Sequence, residues 1–274
     1  MLRLEGVSKT YRVGTFGGRE LVAVDDVNLE VGPGEVISLI GESGSGKSTI
    51  GRMILRLTGV TSGKITFDGV DIAGFKGKGL RAYYAKVQGV FQDPFSSYNP
   101  FFKADRALEL VRQTYFPRLG GRQWRDKVEA SLEAVRLDPG QVLGKYPHQL
   151  SGGQLQRMLV ARALLLDIRL LVADEIISML DASTRIDVLN LLGDLKARGL
   201  GILFITHDLS LGNYISDRAV ILRRGEVVEE GPTERVFGQP QHPYTQALLA
   251  SVPQLHRKWE RTGAGVREPV GEGG

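Results

Sequence analysis

Cysteine is absent from the 274 residues of this chain. Its absence excludes a disulfide framework, cysteine-ligated zinc or iron–sulfur sites, and thiol catalysis. Long uninterrupted apolar runs are absent as well, because the most apolar region, residues 158–180, is broken by charged side chains that are costly in hydrocarbon. They are Arg162, Asp167, Arg169, Asp174 and Glu175. If the protein works at a membrane, we expect another chain to span it.

Blocks of like charge are also lacking. The formal net charge is +4, but basic and acidic residues are interspersed along the whole chain, which is typical of an ordinary solvated surface. We therefore expect no nucleic-acid partner. The N-terminus has neither the apolar core nor the cleavage site of a signal peptide, so we expect the chain not to be exported.

The chain is long enough, and at 42% hydrophobic residues apolar enough, for a substantial core. Up to about residue 75, short apolar runs alternate with turn residues, which indicates a β-rich N-terminal part. From about residue 94 to 166 this pattern gives way to helical spacing, which predicts a helical subdomain. Strands at Leu170–Ala173 and Ile202–Ile205 then alternate with helices. This alternation predicts an α/β fold around a mainly parallel sheet.

A glycine-rich turn follows the predicted strand Val36–Ile40 and opens a helix. All positions of the P-loop pattern are filled, and the structural context is the one that the pattern requires. In a P-loop, the backbone N–H groups surround phosphate oxygens, the lysine reaches the β- and γ-phosphates, and the hydroxyl binds Mg²⁺. The residues are Gly41, Glu42, Ser43, Gly44, Ser45, Gly46, Lys47, Ser48 and Thr49. We predict an ATP site here; a purely structural turn is the alternative.

Two adjacent acids, Asp174 and Glu175, end a buried strand, where they are costly unless a cation or a reaction uses them. We predict that Asp174 holds Mg²⁺ and that Glu175 polarises the attacking water. The alternative is that both acids cap the helix that follows.

Leu150-Ser151-Gly152-Gly153-Gln154 resembles the signature sequence of ABC ATPases. Five further segments follow the family's order over nearly the whole chain. They are the P-loop, Gln92 within Val90–Pro94, Asp174-Glu175, Ser178–Asp181 and His207 within Thr206–Asp208. The resemblance implies a P-loop NTPase cassette with a mainly parallel sheet, an N-terminal antiparallel β-subdomain and a helical subdomain over about residues 94–166.

The family resemblance also implies roles for single residues. Ser151, Gly152, Gly153 and Gln154 would contact the γ-phosphate held by a second, head-to-tail subunit. Gln92 would sense Mg²⁺ and the attacking water, and His207 would contact the γ-phosphate beside Glu175. Asp181 would lie in the loop that communicates across the dimer. Tyr11 would stack on adenine, with a core tyrosine as the alternative.

The chain departs from the family pattern in two places. Ile176 and Ile177 stand where Pro-Thr is usual, and Met179 occupies a usually small position. Leu155 replaces an arginine after the signature. The first departure puts in question the path of the loop to Asp181, and with it the coupling between two sites.

The C-terminal segment Pro240–Leu249 resembles an extension found in the ATPases of oligopeptide, dipeptide and nickel importers. The resemblance implies an ATPase domain over residues 1–262, with the extension over about 232–262, and a flexible tail at 263–274. His242 is expected to be a turn residue with no catalytic role.

The resemblance also implies partners. We expect a second, non-identical ATPase subunit, two membrane permeases, and indirectly an extracytoplasmic solute-binding protein. A cytoplasmic helix of one permease would dock near residues 93–105 of this chain. The chain would act with ATP and Mg²⁺ at the cytoplasmic face of the membrane. The alternatives are a soluble ABC protein acting on nucleic acid and a P-loop kinase.

Overall fold

The computed structural model describes residues 1–14 and 18–251. Within these residues the chain forms ten strands and ten α-helices. The strands are β1 (Leu2–Val13), β2 (Arg19–Val31), β3 (Val36–Ile40), β4 (Ser62–Phe67), β5 (Val70–Asp71), β6 (Val87–Val90), β7 (Leu170–Asp174), β8 (Gly201–Thr206), β9 (Arg218–Arg223) and β10 (Glu226–Pro232). The helices are α1 (Lys47–Ile54), α2 (Gly77–Tyr84), α3 (Arg106–Tyr115), α4 (Gly121–Ala134), α5 (Pro139–Val142), α6 (Gly152–Leu164), α7 (Ala182–Ala197), α8 (Leu209–Ile215), α9 (Thr233–Gly238) and α10 (Pro243–Ala250).

The central sheet has six strands in the order β10-β9-β3-β8-β7-β6. Neighbours from β9 to β6 are parallel, and only β10 pairs antiparallel with β9. β3, β7 and β8 are buried along their whole length, as expected for parallel strands covered by helices on both faces. The predicted α/β class is confirmed.

A second sheet is formed mainly by the N-terminal part of the chain. Its order is β2-β1-β4-β5, and all of its pairs are antiparallel. Buried residues from this sheet, such as Leu4 and Phe67, share one core with α1 and with one face of the central sheet. The sheet thereby supports the helix that follows the P-loop.

Between β6 and β7 the chain, which is described throughout this stretch, contains helices α3 to α6 and no strand. Trp124 and Leu132 of α4 pack with Met158 of α6 in a core that also includes residues of α7 and β8. The signature helix α6 is therefore tied to both the helical region and the central sheet.

The C-terminal part of the described chain forms the β9–β10 hairpin, α9 and α10. The predicted extension over 232–262 is described only as far as residue 251, and the predicted flexible tail at 263–274 lies outside the described residues. None of the helices in the described ranges is long and apolar enough to cross a membrane.

Candidate functional site

The carboxyl ends of four neighbouring parallel strands meet at one edge of the central sheet. β3 leads into the P-loop, β8 ends next to His207, β7 ends at Asp174, and Gln92 follows β6. Such an edge is where open α/β sheets bind ligands. A cleft of about 730 Å³ lies there, and its walls include Gly41, Ser48, Gln92, Asp174, Glu175 and His207.

The tight bend of the P-loop requires glycine at two positions, because the surrounding backbone leaves no room for a side chain there. A Cβ on Gly41 would lie 2.2 Å from the carbonyl oxygen of Leu222, and one on Gly46 would lie 2.3 Å from that of Ala23. Gly46 also has a φ of 106°, which favours glycine. Gly44, with a φ of 80°, has open space at its Cβ position, so the loop presents backbone rather than side chains at its tip.

The P-loop continues into α1 without a side-chain cap. Gly46 occupies the N-cap position, and among the described residues no side chain accepts from the first turn of this helix. Helices α6, α7, α8 and α10 each have such a cap. The unsatisfied N–H groups and the helix dipole make the start of α1 suited to an anion such as a phosphate.

Lys47 is almost completely buried, at 5% exposure. Its Nζ donates hydrogen bonds to the carbonyl oxygens of Gly41 at 2.7 Å and Glu42 at 2.8 Å. Burial lowers the pKa of this amine, while the charges of Glu175, Asp174 and Glu42 oppose that shift. The lysine is thus a cation held beside the loop by backbone acceptors.

Asp174 and Ser48 form a pair of oxygen donors. The Ser48 hydroxyl donates to the Asp174 carboxylate at 3.1 Å. Burial raises the pKa of Asp174, although the Ser48 hydrogen bond lowers it. In the described part of the chain no cluster of three or more His, Cys, Asp or Glu side chains could hold a metal. A hydroxyl and one carboxylate fit Mg²⁺, which takes few protein ligands and completes its shell with phosphates and water.

Glu175 holds an unusual backbone conformation, with a φ of 51°. Such a conformation costs a non-glycine residue about 1–3 kcal/mol and is concentrated at functional sites. Its N–H donates to the carbonyl of Ile205 at 2.9 Å, and its carboxylate lies 3.1 Å from Nδ1 of His207. The backbone therefore aims the second acid into the cleft, beside the histidine.

The alternative that Asp174 and Glu175 cap the next helix is wrong. Asp181 is the N-cap of α7. Its carboxylate accepts from the Thr184 N–H and from the hydroxyls of Ser183 and Thr184. These hydrogen bonds hold the pKa of Asp181 well below its usual range. The two earlier acids are left free for the cleft.

Gln92 is exposed at the rim of the cleft. The segment around it is tied to the signature helix. The buried Gln156 of α6 donates to the carbonyl of Phe91 at 3.3 Å, and the Tyr98 hydroxyl donates to the carbonyl of Leu155 at 3.2 Å. These two hydrogen bonds link α6 to the residues on both sides of Gln92.

The signature residues begin α6 with a reciprocal capping box. The Gln154 N–H donates to the Ser151 hydroxyl at 3.2 Å, and the Ser151 N–H donates to the Gln154 side-chain oxygen at 2.9 Å. Gly152 and Gly153 form the first turn. A Cβ on Gly153 would lie 2.4 Å from the Thr184 methyl, so this glycine allows α6 and α7 to approach closely.

Several predicted residues do not line the same cleft. The signature residues and Asp181 lie apart from it, as does Tyr11 on β1, whose ring centre is 5.0 Å from the Lys9 amine. Thr49 lies on α1, directly after Ser48. The chain therefore brings together the P-loop, the two acids, Gln92 and His207, and leaves the signature on another surface.

The structure adds cleft residues to which the sequence argument gave no role. Arg52 lines the cleft from α1, and Leu248 lines it from α10. Arg52 stands four positions after Ser48, so helical spacing was a usable signal. No local signal in the sequence indicates Leu248, because only tertiary packing brings α10 to the P-loop.

Comparison with known proteins agrees with this geometry. Residues 24–178 match the family described as ABC transporter, and residues 228–270 match the oligopeptide/dipeptide transporter C-terminal region. The chain is 41% identical to a putative peptide import ATP-binding protein of Brucella ovis, over 92% of this chain and 78% of that protein. It is also 41% identical to the oligopeptide transport ATP-binding protein OppF of Salmonella typhimurium, over 86% and 70% of the two chains.

A solved structure with a similar fold is a dimeric ATP-binding cassette in a post-hydrolysis state, bound to ADP and Pi. Its TM-score is 0.76 at 30% identity, and the match covers 85% of this chain and 99% of that one. The family match, the relatives and the arrangement of the cleft agree. The chain belongs to the ABC transporter family and is one of its ATP-binding cassette ATPases.

Proposed function

We propose that this ATPase is the motor subunit of a peptide importer and that its cleft hydrolyses ATP. The assembly of the P-loop, Asp174, Glu175, Gln92 and His207 at the ends of adjacent strands carries the proposal. The match to the oligopeptide/dipeptide transporter region and the names of the two relatives support peptides as the cargo. Neither a P-loop kinase nor a cassette acting on nucleic acid is favoured by these matches.

Phosphate binding falls to the P-loop and the start of α1. The N–H groups from Gly44 to Thr49 and the charge of Lys47 would surround the β- and γ-phosphates. Gly41 and Ser43 complete the turn, and Tyr11 would stack on the adenine. Ser48, Asp174 and Gln92 would hold Mg²⁺, which supplies charge neutralisation at the phosphates.

Hydrolysis requires an oriented water molecule. Glu175 would accept a proton from water as the oxygen attacks the γ-phosphorus and the bond to the ADP oxygen breaks. His207, 3.1 Å from the Glu175 carboxylate, would hold that carboxylate in position and contact the γ-phosphate. Because Glu175 is largely shielded from solvent while His207 is more exposed, closure by a second subunit would complete the water exclusion.

The signature supplies the missing wall from another subunit. Ser151 and the N–H groups of Gly152 and Gly153 lie outside this protomer's own cleft, at the start of α6, where the capping box engages the N–H of Gln154 and not those of the two glycines. A helix start with such N–H groups is suited to an anion. We infer a head-to-tail dimer in which Ser151 and the two glycines contact the γ-phosphate held by the partner. Asp181 and its loop would lie in the same interface. The partner is proposed to be a second, non-identical ATPase.

A second cleft, of about 670 Å³, is a candidate docking site for a permease. It lies in the helical region next to residues 93–105, and its lining includes Phe101, Phe102, Trp124, Arg106 and Arg112. Phe101 is 85% exposed, which is unusual for a phenylalanine without a partner. We propose that a cytoplasmic helix of one permease docks here. The protein would then work at the cytoplasmic face of the membrane, with an extracytoplasmic solute-binding protein delivering the peptide.

Glu175→Gln tests the assignment. The amide keeps the size of the side chain but cannot accept the proton, so ATP binding should persist while turnover falls by at least about 100-fold. Turnover is measured with the assembled complex of both ATPase subunits and the permeases, and ATP binding with the purified chain. Glu133→Gln on the exposed face of α4 is the matched control and should leave both unchanged. Undiminished turnover by the first variant would refute the role of Glu175.

A further inference from the structure

Helix α10, far along the chain from the P-loop, packs against the strand that leads into it. Ile40, the last residue of β3, belongs to a small buried cluster that also contains Ile221 of β9 and Val236 of α9. Tyr244 and Leu248 of α10 pack on this cluster. The apolar face of α10 therefore packs next to Ile40, the residue that directly precedes the P-loop.

A hydrogen bond joins α10 to the P-loop itself. The backbone N–H of Glu42 donates to the Tyr244 hydroxyl at 3.4 Å. The carbonyl oxygen of Gly41, in the same peptide group as this N–H, accepts from the Lys47 amine at 2.7 Å. The ring of Tyr244 is held on another side by the Arg223 guanidinium, 4.9 Å from its centre. A displacement of Tyr244 would thus shift the peptide group to which Lys47 is bonded.

The next turn of α10 reaches the cleft. Leu248 stands four positions after Tyr244, on the same face of the helix. Its side chain lines the cleft together with Ser48, Asp174 and Glu175. The helix therefore contacts both the loop that grips phosphate and the space beside the catalytic acids.

The start of α10 is anchored to the central sheet by a buried acid. Glu229 of β10, 8% exposed, accepts hydrogen bonds from the backbone N–H groups of Gln241 at 2.9 Å and His242 at 3.0 Å. His242 in turn caps α10, because its Nδ1 accepts from the Tyr244 N–H at 3.1 Å. His242 thus has a structural role as a helix cap and needs no catalytic role. Its hydrogen bonds also fix the position of Tyr244 relative to β10.

We propose that α10 is a working part of the ATP site, in which Tyr244 is a positioning residue for the P-loop and Leu248 is a wall of the cleft. The inference rests on the proposed ATP site and adds a specific task for the C-terminal extension. Because binding couplings are reciprocal, nucleotide binding must also stabilise the docked position of α10. Any event that displaces this helix would weaken the grip on nucleotide.

Tyr244→Phe tests the proposal, since it removes the hydroxyl and keeps the ring against Arg223. A neutral hydrogen bond changes an equilibrium by about two- to tenfold, and one of this length lies at the weak end. We expect the Kd of the purified, folded chain for trinitrophenyl-ATP with Mg²⁺ to rise about two- to fourfold, at a temperature well below the unfolding midpoint of the nucleotide-free variant. A purely structural role would lower that midpoint and leave the Kd of the folded chain unchanged.

Tyr214→Phe is the matched control. It removes a hydroxyl that bonds Asn190 at 3.3 Å, away from the cleft, and should leave the Kd unchanged. Equal Kd values for wild type, Tyr214→Phe and Tyr244→Phe would overturn the proposal. Lys47→Ala separates the two hypotheses. If this variant retains full affinity for the nucleotide, the proposed ATP site itself is wrong. If Lys47→Ala loses affinity and Tyr244→Phe does not, only the proposed role of α10 is wrong.

Hydrogen exchange of the wild-type chain decides the case if Tyr244→Phe does not fold. The Gln246 N–H donates to the His242 carbonyl at 3.1 Å in the first turn of α10. Bound nucleotide should slow exchange of this N–H at least about twofold, since docked α10 opens less often. Exchange in α10 that is unaffected by saturating nucleotide would reject the coupling.

Discussion

Gly153→Ala should destabilise the protein although it places a better helix former in a helix. Alanine is favoured over glycine in a helix by about 0.5–1 kcal/mol. Here, however, the new Cβ would lie 2.4 Å from the methyl carbon of Thr184. That methyl cannot turn away freely, because the Thr184 hydroxyl donates to Asp181 at 2.8 Å. Overpacking of this kind costs about 1–3 kcal/mol, so the net loss should be about 0.5–2 kcal/mol.

Thr184→Ser should rescue this variant. Serine lacks the methyl but retains the hydroxyl that bonds Asp181. The remaining Thr184 atoms near the new Cβ lie at 3.5 Å and 3.6 Å, which is close to ordinary contact. In the Thr184→Ser background, Gly153→Ala should therefore be neutral or stabilising by up to about 1 kcal/mol. The coupling free energy between the two positions should be about 1–3 kcal/mol.

Urea unfolding of the four chains of this double-mutant cycle measures the free energies. Gly193→Ala is the control, because it lies inside α7 with nothing within 4 Å of its Cβ position, and it should stabilise the chain by about 0.5–1 kcal/mol. A Gly153→Ala variant as stable as wild type, or a double variant no more stable than the single one, would refute the steric argument. The ATPase rate of the assembled complex is then measured for Gly153→Ala with and without Thr184→Ser. A rate that stays low in the double variant, in which the clash with Thr184 is relieved, shows that the added methyl itself obstructs the partner's γ-phosphate.

Two other substitutions separate stability from activity. Asp174→Asn should weaken Mg²⁺-dependent ATP binding at least about tenfold, yet raise the unfolding midpoint of the nucleotide-free chain, since it removes a buried charge and retains an acceptor for Ser48. Burial raises the pKa of Asp174 in the folded chain above its usual value of 3.8. The gain in stability should therefore be absent at a pH well below 3.8, where the carboxyl group is protonated in both the folded and the unfolded chain. It should grow as the pH rises from 3.8 to the folded-state pKa and stay constant above that pKa. Phe101→Ser, at a side chain 85% exposed, should change the unfolding free energy by less than about 0.5 kcal/mol. It should nevertheless reduce the ATPase stimulation given by the permeases, and full stimulation would place the permease elsewhere.

The sequence alone was sufficient for the class of fold and for the identity of the phosphate-binding loop. Patterns of this kind are local: a strand, a glycine-rich turn and a helix follow one another within about twenty residues, and the physical requirements of phosphate binding act on consecutive backbone groups. The buried strands β3, β7 and β8 were recognisable for the same reason, because strands covered on both faces are continuously apolar.

Tertiary structure decided which of these residues share a cleft. Gln92, Glu175 and His207 are far apart in the chain, and they meet because the order of the parallel strands places their carboxyl ends side by side. That Asp181 caps α7 is a local relation, since its carboxylate bonds a backbone N–H only three residues later. That Gly153 faces Thr184 depends instead on how closely two helices pack, which no local pattern encodes.

The contact of Tyr244 with Glu42 joins residues 202 positions apart and is the clearest example of a relation that only tertiary packing decides. The sequence determined that α10 forms, through the capping His242 and the proline after it. Only the folded chain decided where α10 lies, because its position depends on the buried Glu229 and on the apolar cluster around Ile40. Local chemistry thus determined the parts of the ATP site, and long-range packing determined which parts belong to it.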